Sequence, residues 1–142
     1  TAGSLNLSGP DAGVIGTVFT PNRPTTVSIN QNSGFVQWRE STINVGNLDG
    51  KETLIVVSFS SDGTVLGVVI GTGIVEVSSG TAVSSTYGYA LECTELGVDC
   101  SDILVDLAEQ KLAFSEVSIP KIDPDADNSA TGPLVLNGLL TW

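Results

Sequence analysis

Thr53-Leu54-Ile55-Val56-Val57-Ser58-Phe59-Ser60, then Ser61-Asp62-Gly63-Thr64, then Val65-Leu66-Gly67-Val68-Val69-Ile70-Gly71-Thr72-Gly73-Ile74-Val75-Glu76-Val77, is the stretch on which the fold turns. Two β-branched runs flank Asp62-Gly63, a dipeptide suited to the backbone of a tight hairpin. In the first run Ile55, Val57 and Phe59 alternate with Leu54, Val56 and Ser58. Both sets begin apolar, as in a strand with neighbours on either side. In the second run Gly67, Gly71 and Gly73 weaken the strand and mark a bulge or a close backbone approach. They do not form a phosphate loop, because no Lys and no helix follow them.

The flanking sequence repeats the theme of short strands and turns. Val14–Thr20 reads as a strand closed by Pro21-Asn22-Arg23-Pro24. Thr25–Asn30 alternates Val27 and Ile29, and Asn30-Gln31-Asn32-Ser33-Gly34 turns the chain into Phe35–Glu40. There Val36 and Trp38 share one face, predicted inward. Ile43–Val45 and Ala82–Leu91 read as further strands, the latter with Tyr87 and Tyr89 on one face. Residues 102–119 allow two readings. Ser101 as N-cap with Leu104, Leu107, Ala108 and Leu112 in one stripe describes a helix. Ile103–Leu107 and Leu112–Ile119 around Ala108-Glu109-Gln110 describe a hairpin, which the β-rich surroundings favour. Leu134–Trp142 is a last strand. Without an internal repeat or a linker, residues 1–142 are expected to form one domain. The expected fold is all-β, an antiparallel β-sandwich of jelly-roll or immunoglobulin-like kind, with a closed β-barrel as the alternative.

Composition removes whole classes of function. The 142 residues carry a formal charge of −11, with 16 acidic residues against 5 basic ones. A nucleic-acid backbone needs a basic surface, so that partner is excluded, and an anionic bilayer surface is disfavoured for the same reason. Histidine is absent from the chain, which rules out Ser-His-Asp and Cys-His pairs and His-ligated zinc. No apolar run reaches the length of a transmembrane helix. Thr1-Ala2-Gly3-Ser4 reads as the start of a mature or trimmed exported protein.

Cys93 and Cys100 are the two cysteines. So close together in an acidic chain lacking His, they are expected to form a local disulfide. That bond implies an oxidising, extracytoplasmic compartment, whether secreted, periplasmic or surface-anchored. The loop between them, Thr94 to Asp99, could serve as a rigid recognition tip.

Three further sites stand out. Asp123, Asp125 and Asp127 alternate in an acidic loop and could converge oxygens on calcium. Pro124 at the second position, Asn128 in place of the usual Gly, and Leu134 in place of a bidentate Glu depart from helix-loop-helix calcium loops. Tyr87 and Tyr89, with Trp38 and Trp142 added, could stack on sugar rings, although packing in the core is the ordinary fate of strand aromatics. A carboxylate pair for glycoside hydrolysis could be drawn from Glu40, Glu52, Glu76, Glu92, Glu95, Asp99 and Asp102, an abundance that selects none of them.

Cys93…Cys100, Val105-Asp106-Leu107, Lys111-Leu112-Ala113-Phe114 and Leu136-Asn137-Gly138-Leu139-Leu140-Thr141-Trp142 together resemble the ends of small exported bacterial β-rich proteins and lipoproteins of unassigned function. The resemblance covers the last third of the chain and implies an extracytoplasmic β-rich module. The expected function is non-catalytic binding or scaffolding, with an unidentified protein or glycan as partner. The alternatives are a calcium-stabilised carbohydrate-binding module and a glycan-active enzyme.

Overall fold

A computed structural model describes residues 2–31, 33–41, 52–74, 87–122 and 130–142. The elements run β1 (Gly3–Ser8), α1 (Ala12–Ile15), β2 (Val18–Phe19), β3 (Pro24–Ile29), β4 (Ser33–Ser41), β5 (Glu52–Ser60), β6 (Val65–Ile74), β7 (Tyr87–Glu92), β8 (Ile103–Asp106), β9 (Lys111–Ile119) and β10 (Leu134–Thr141). They form two five-stranded sheets, ordered β2-β1-β10-β9-β8 and β3-β4-β5-β6-β7. All the strand pairs are antiparallel. The result is a sandwich with open edges and not a closed barrel. The second sheet is a plain meander; in the first, the N-terminal and C-terminal strands lie side by side.

The hairpin expected at Asp62-Gly63 joins β5 to β6. Gly63 takes φ 89°, which its missing Cβ permits. Asp62 Oδ1 accepts the Thr64 N–H at 3.0 Å and the Ser60 hydroxyl. β5 is the middle strand of its sheet, with Ile55, Val57 and Phe59 buried against the opposite sheet and Leu54 and Val56 half-covered on the outer face. Trp38 lies beside Ile55 and donates its indole N–H to the Thr141 carbonyl of β10 at 3.0 Å, one direct bond between the sheets. Phe59 and Trp142 stack nearby, with ring centroids 5.9 Å apart.

Two bulges keep apolar side chains inward where strict alternation would turn them out. In β9 the buried residues are Leu112, Phe114, Val117 and Ile119, so the parity changes between Phe114 and Val117. Ser115 and Glu116 there face the single residue Asn137 of β10, with Glu116 at φ 52°. In β6 the extra residue is Leu66, since Ser58 pairs with Gly67 and Phe59 with Val65. A Cβ at Gly67 would lie 3.3 Å from the Leu91 carbonyl oxygen, so the glycine reading of bulge and close approach fits that position.

The edge at β7 is covered. After β9 the chain crosses to the second sheet, where Ala90 N–H donates to Pro120 O at 3.0 Å and Ile122 N–H to Gly88 O at 3.1 Å. The region after Ser101 is the hairpin β8–β9 and not a helix, with Glu109 N–H on Asp106 Oδ1 closing its turn.

One expected strand is corrected. Val14–Thr20 is not a single strand: the helical turn α1 comes first and only Val18–Phe19 is extended. Ala12 and Ile15 are buried, and their spacing of three puts both on one side only in a helix. Gly16 at φ 112° ends the turn. The Ile43–Val45 reading and residues 82–86 of the next fall outside the described residues. No helix is long and apolar enough to cross a membrane among the described residues.

Candidate functional site

The residues singled out by sequence are scattered across the fold. Asp123, Asp125 and Asp127, the expected calcium ligands, lie outside the described residues, as does Glu76. Among the described residues no group of three His, Cys, Asp or Glu is placed to hold a metal ion. Trp38 and Tyr89 have 0% of their surface exposed, so neither ring presents a face for a sugar. Tyr87 and Tyr89 do share a strand face, and it is the inner one: Tyr89 pairs with Ile70 and Tyr87 with Thr72, both buried. Tyr87 is half-buried at its margin. Glu40 is engaged in the structure, accepting the Thr20 N–H on Oε2 at 2.7 Å and its hydroxyl on Oε1 at 2.9 Å. Cys93 and Cys100 are joined in a disulfide, with Cα atoms 5.8 Å apart.

One polar node was missed by the sequence reading. Asp11, 3% exposed, precedes α1. Its carboxylate accepts the Tyr89 hydroxyl at 2.7 Å, and the Thr131 N–H at 3.0 Å and hydroxyl at 2.5 Å. Burial by itself raises the Asp11 pKa. The bonds from Thr131 and Tyr89, with the Thr131 and Gly132 N–H groups, outweigh it and hold the carboxyl below the ordinary 3.8. Burial first, then the bond to Asp11, push the Tyr89 phenol far above its usual range. The node joins β7, the turn after β1 and the segment before β10. It is a structural tie, since each donor is already committed. The only sequence sign of it is an acid at a Pro10-Asp11 turn.

An open concavity lies past the C-terminal end of β7, where Cys93 follows Glu92. A cleft of ≈ 460 Å³ runs between the sheets, lined by Gly63, Thr64, Val65, Cys93, Cys100, Ser101, Ile103, Leu104 and Val105. Three pieces of chain build it. The β5–β6 turn supplies one lip, and its backbone passes close to β8, because a Cβ on Gly63 would lie 3.5 Å from the Val105 carbonyl oxygen. β8, the edge strand of its sheet, supplies the opposite wall. The disulfide loop carries the chain between the two sheets and caps the end. Val65 and Ile103 are buried and give an apolar floor, with the disulfide beside them.

This loop is held by more than its covalent bond. Cys93 N–H donates to Leu66 O at 3.0 Å and Ile103 N–H to Cys100 O at 3.0 Å, and two short turns run between them. Asp99 Oδ1 accepts the Ser101 N–H at 2.9 Å. That bond, followed by the Ser101 hydroxyl, holds the Asp99 carboxyl below its ordinary value. Across the cleft the Ser60 hydroxyl, then the Thr64 hydroxyl and N–H, lower Asp62 to about 2. At the loop tip Leu96 is 104% exposed, and Leu104 on the wall is 64% exposed. Such a surface offers van der Waals contact, hydroxyls and fixed negative charge.

No family model, no curated protein and no solved structure matches this chain.

Proposed function

We propose that this chain is a non-catalytic extracytoplasmic binding module whose contact surface is the flank formed by the Cys93–Cys100 loop, the β5–β6 turn and β8. The observation that carries this reading is Leu96, a large apolar side chain fully exposed at the tip of a covalently closed loop that borders an apolar-floored cleft. Solvating an isolated Leu costs little, and single exposed apolar residues are common. Here the residue stands on a preordered loop, so a partner covering it would lose little loop entropy on binding. The disulfide supports an oxidising location, as does the resemblance of the last third of the chain to exported proteins. Of the four rings of the sugar-stacking alternative, Trp38 and Tyr89 are fully buried, and Tyr87 and Trp142 are half-buried.

Amide chemical-shift mapping tests the reading. Labelled protein is titrated with panels of glycans and of acidic, neutral and basic peptides. The expected result is a probe whose shifts concentrate at residues 63–65 and 93–105 and disappear with Leu96→Ser, while the melting temperature stays unchanged because Leu96 makes no core contact. Shifts that map elsewhere, or no shift at these residues from any panel, would overturn it.

A further inference from the structure

We propose that the occupant of this flank is a basic, extended peptide segment of another protein, its Lys or Arg stems lying on the cleft floor and its charged heads meeting the surrounding carboxylates. The proposal rests on the binding reading above and adds the chemistry of the partner.

Charge distribution supplies the argument. Asp62, Glu92, Asp99, Asp102 and Asp106 each lie next in sequence to a residue lining the cleft, and all five are exposed. No Lys or Arg is adjacent in this way. Of the described cations, Arg23 precedes β3 and Arg39 is on β4, at the far side of their sheet. Lys121 is on the segment beside β7. Lys111 lies opposite Asp106 in the β8–β9 register. Five of the 16 acidic residues of the chain therefore lie next in sequence to residues that line one apolar depression.

Lys and Arg fit such a surface because their alkyl stems bury on apolar atoms while their heads stay solvated among carboxylates. A purely apolar segment would instead bring carboxylates close to its own surface and desolvate them without a partner. A bare metal ion is a poor fit, since no three described acidic groups converge. Asp62 and Asp99, oriented by Ser60, Thr64 and Ser101, are already fixed in place, so pairing them costs less side-chain entropy than pairing free surface acids. A strand-like segment also suits β8, which among the described residues has a strand partner on one side only.

The test uses an amidated nonapeptide of alternating lysine and leucine, its counterpart with glutamine for lysine, and spermidine. Affinity is measured by calorimetry in low and in roughly 0.3 M salt, and the site by amide shifts. The lysine peptide is expected to shift residues 63–65 and 93–106 and to weaken about tenfold in the higher salt, where the screening length is shorter. The Asp99→Asn/Asp102→Asn double variant should weaken it about five- to tenfold, each exposed pair contributing a few-fold. Glu40→Gln, which removes a charge beside Thr20, at the opposite edge of the first sheet from β8, should change affinity less than twofold. Asp106→Asn serves as a second cleft variant should the double variant lose its native amide spectrum.

Equal binding of the glutamine peptide, or equal losses from Glu40→Gln and the cleft variants, would overturn the proposal. So would spermidine binding as tightly, which would make the site one for small polycations. A neutral peptide or glycan that shifts the same amides when the lysine peptide does not would refute the basic partner and leave the binding surface standing. Silence from every class would remove both.

Discussion

Tyr89→Phe isolates the contribution of the buried Asp11 node. The change removes one hydroxyl and keeps the ring that fills the core, so it opens no cavity of consequence. Asp11 then loses the 2.7 Å bond from Tyr89 and retains the two bonds from Thr131. A hydrogen bond to a charged group contributes about 1.5–3 kcal/mol, and the low exposure of Asp11 places this one in the upper part of that range. At neutral pH the variant should therefore be about 2–3 kcal/mol less stable in urea unfolding. The midpoint of heat unfolding should fall by roughly 6–10 °C for a domain of this size. The sign of the pH dependence follows from Asp11, whose carboxyl is held below 3.8 in the folded state. Its stabilisation is complete above that value and is lost as pH falls through the folded pKa. The gap between wild type and Tyr89→Phe should accordingly narrow in that acid window to about 1 kcal/mol, the contribution of a neutral hydrogen bond. A loss under about 0.5 kcal/mol at neutral pH, or a gap that does not narrow on acidification below 3.8, would refute the assignment of Asp11 as a buried charged acceptor.

Three further outcomes are expected. Replacing both Cys93 and Cys100 with Ser should cost about 2.5 kcal/mol, the chain entropy of so short a loop, and should raise amide exchange between residues 94 and 99; retained protection there would show that hydrogen bonds alone order the loop. Gly138→Ala should cost about 2–4 kcal/mol in urea unfolding, because φ is 143° and the added Cβ would lie 2.3 Å from the Ser4 carbonyl oxygen in the β1–β10 pair, whereas Gly13→Ala, with nothing within 4 Å, should gain about 0.5–1 kcal/mol in α1. Trp38→Phe should cost about 3 kcal/mol through lost volume and an unpaired Thr141 carbonyl, and should abolish the blue-shifted part of the indole fluorescence, leaving the emission of Trp142.

The sequence by itself determined the elements whose signals are local. Asp62-Gly63 with its flanking β-branched runs specified the β5–β6 hairpin, because turn geometry depends on neighbouring residues alone. The apolar alternation of Val36 and Trp38 identified a core face, and the short spacing of Cys93 and Cys100 identified their bond. Tertiary structure decided what local pattern leaves open. Alternation placed Tyr87 and Tyr89 on one face, but only the first sheet packed across them made that face the inside. The parity change from Phe114 to Val117 became a bulge because both halves of β9 must cover the same core. Val14 lies in a helical turn because Ala12 and Ile15 gain burial on one side, at the expense of the strand propensity around them. Asp11 meets Tyr89 and Thr131 across 78 and 120 residues of chain, a separation no window of sequence spans. The cleft is of the same kind. Its wall comes from β8, its lip from the β5–β6 turn and its cap from the disulfide loop, and these segments meet only because the two sheets pack together.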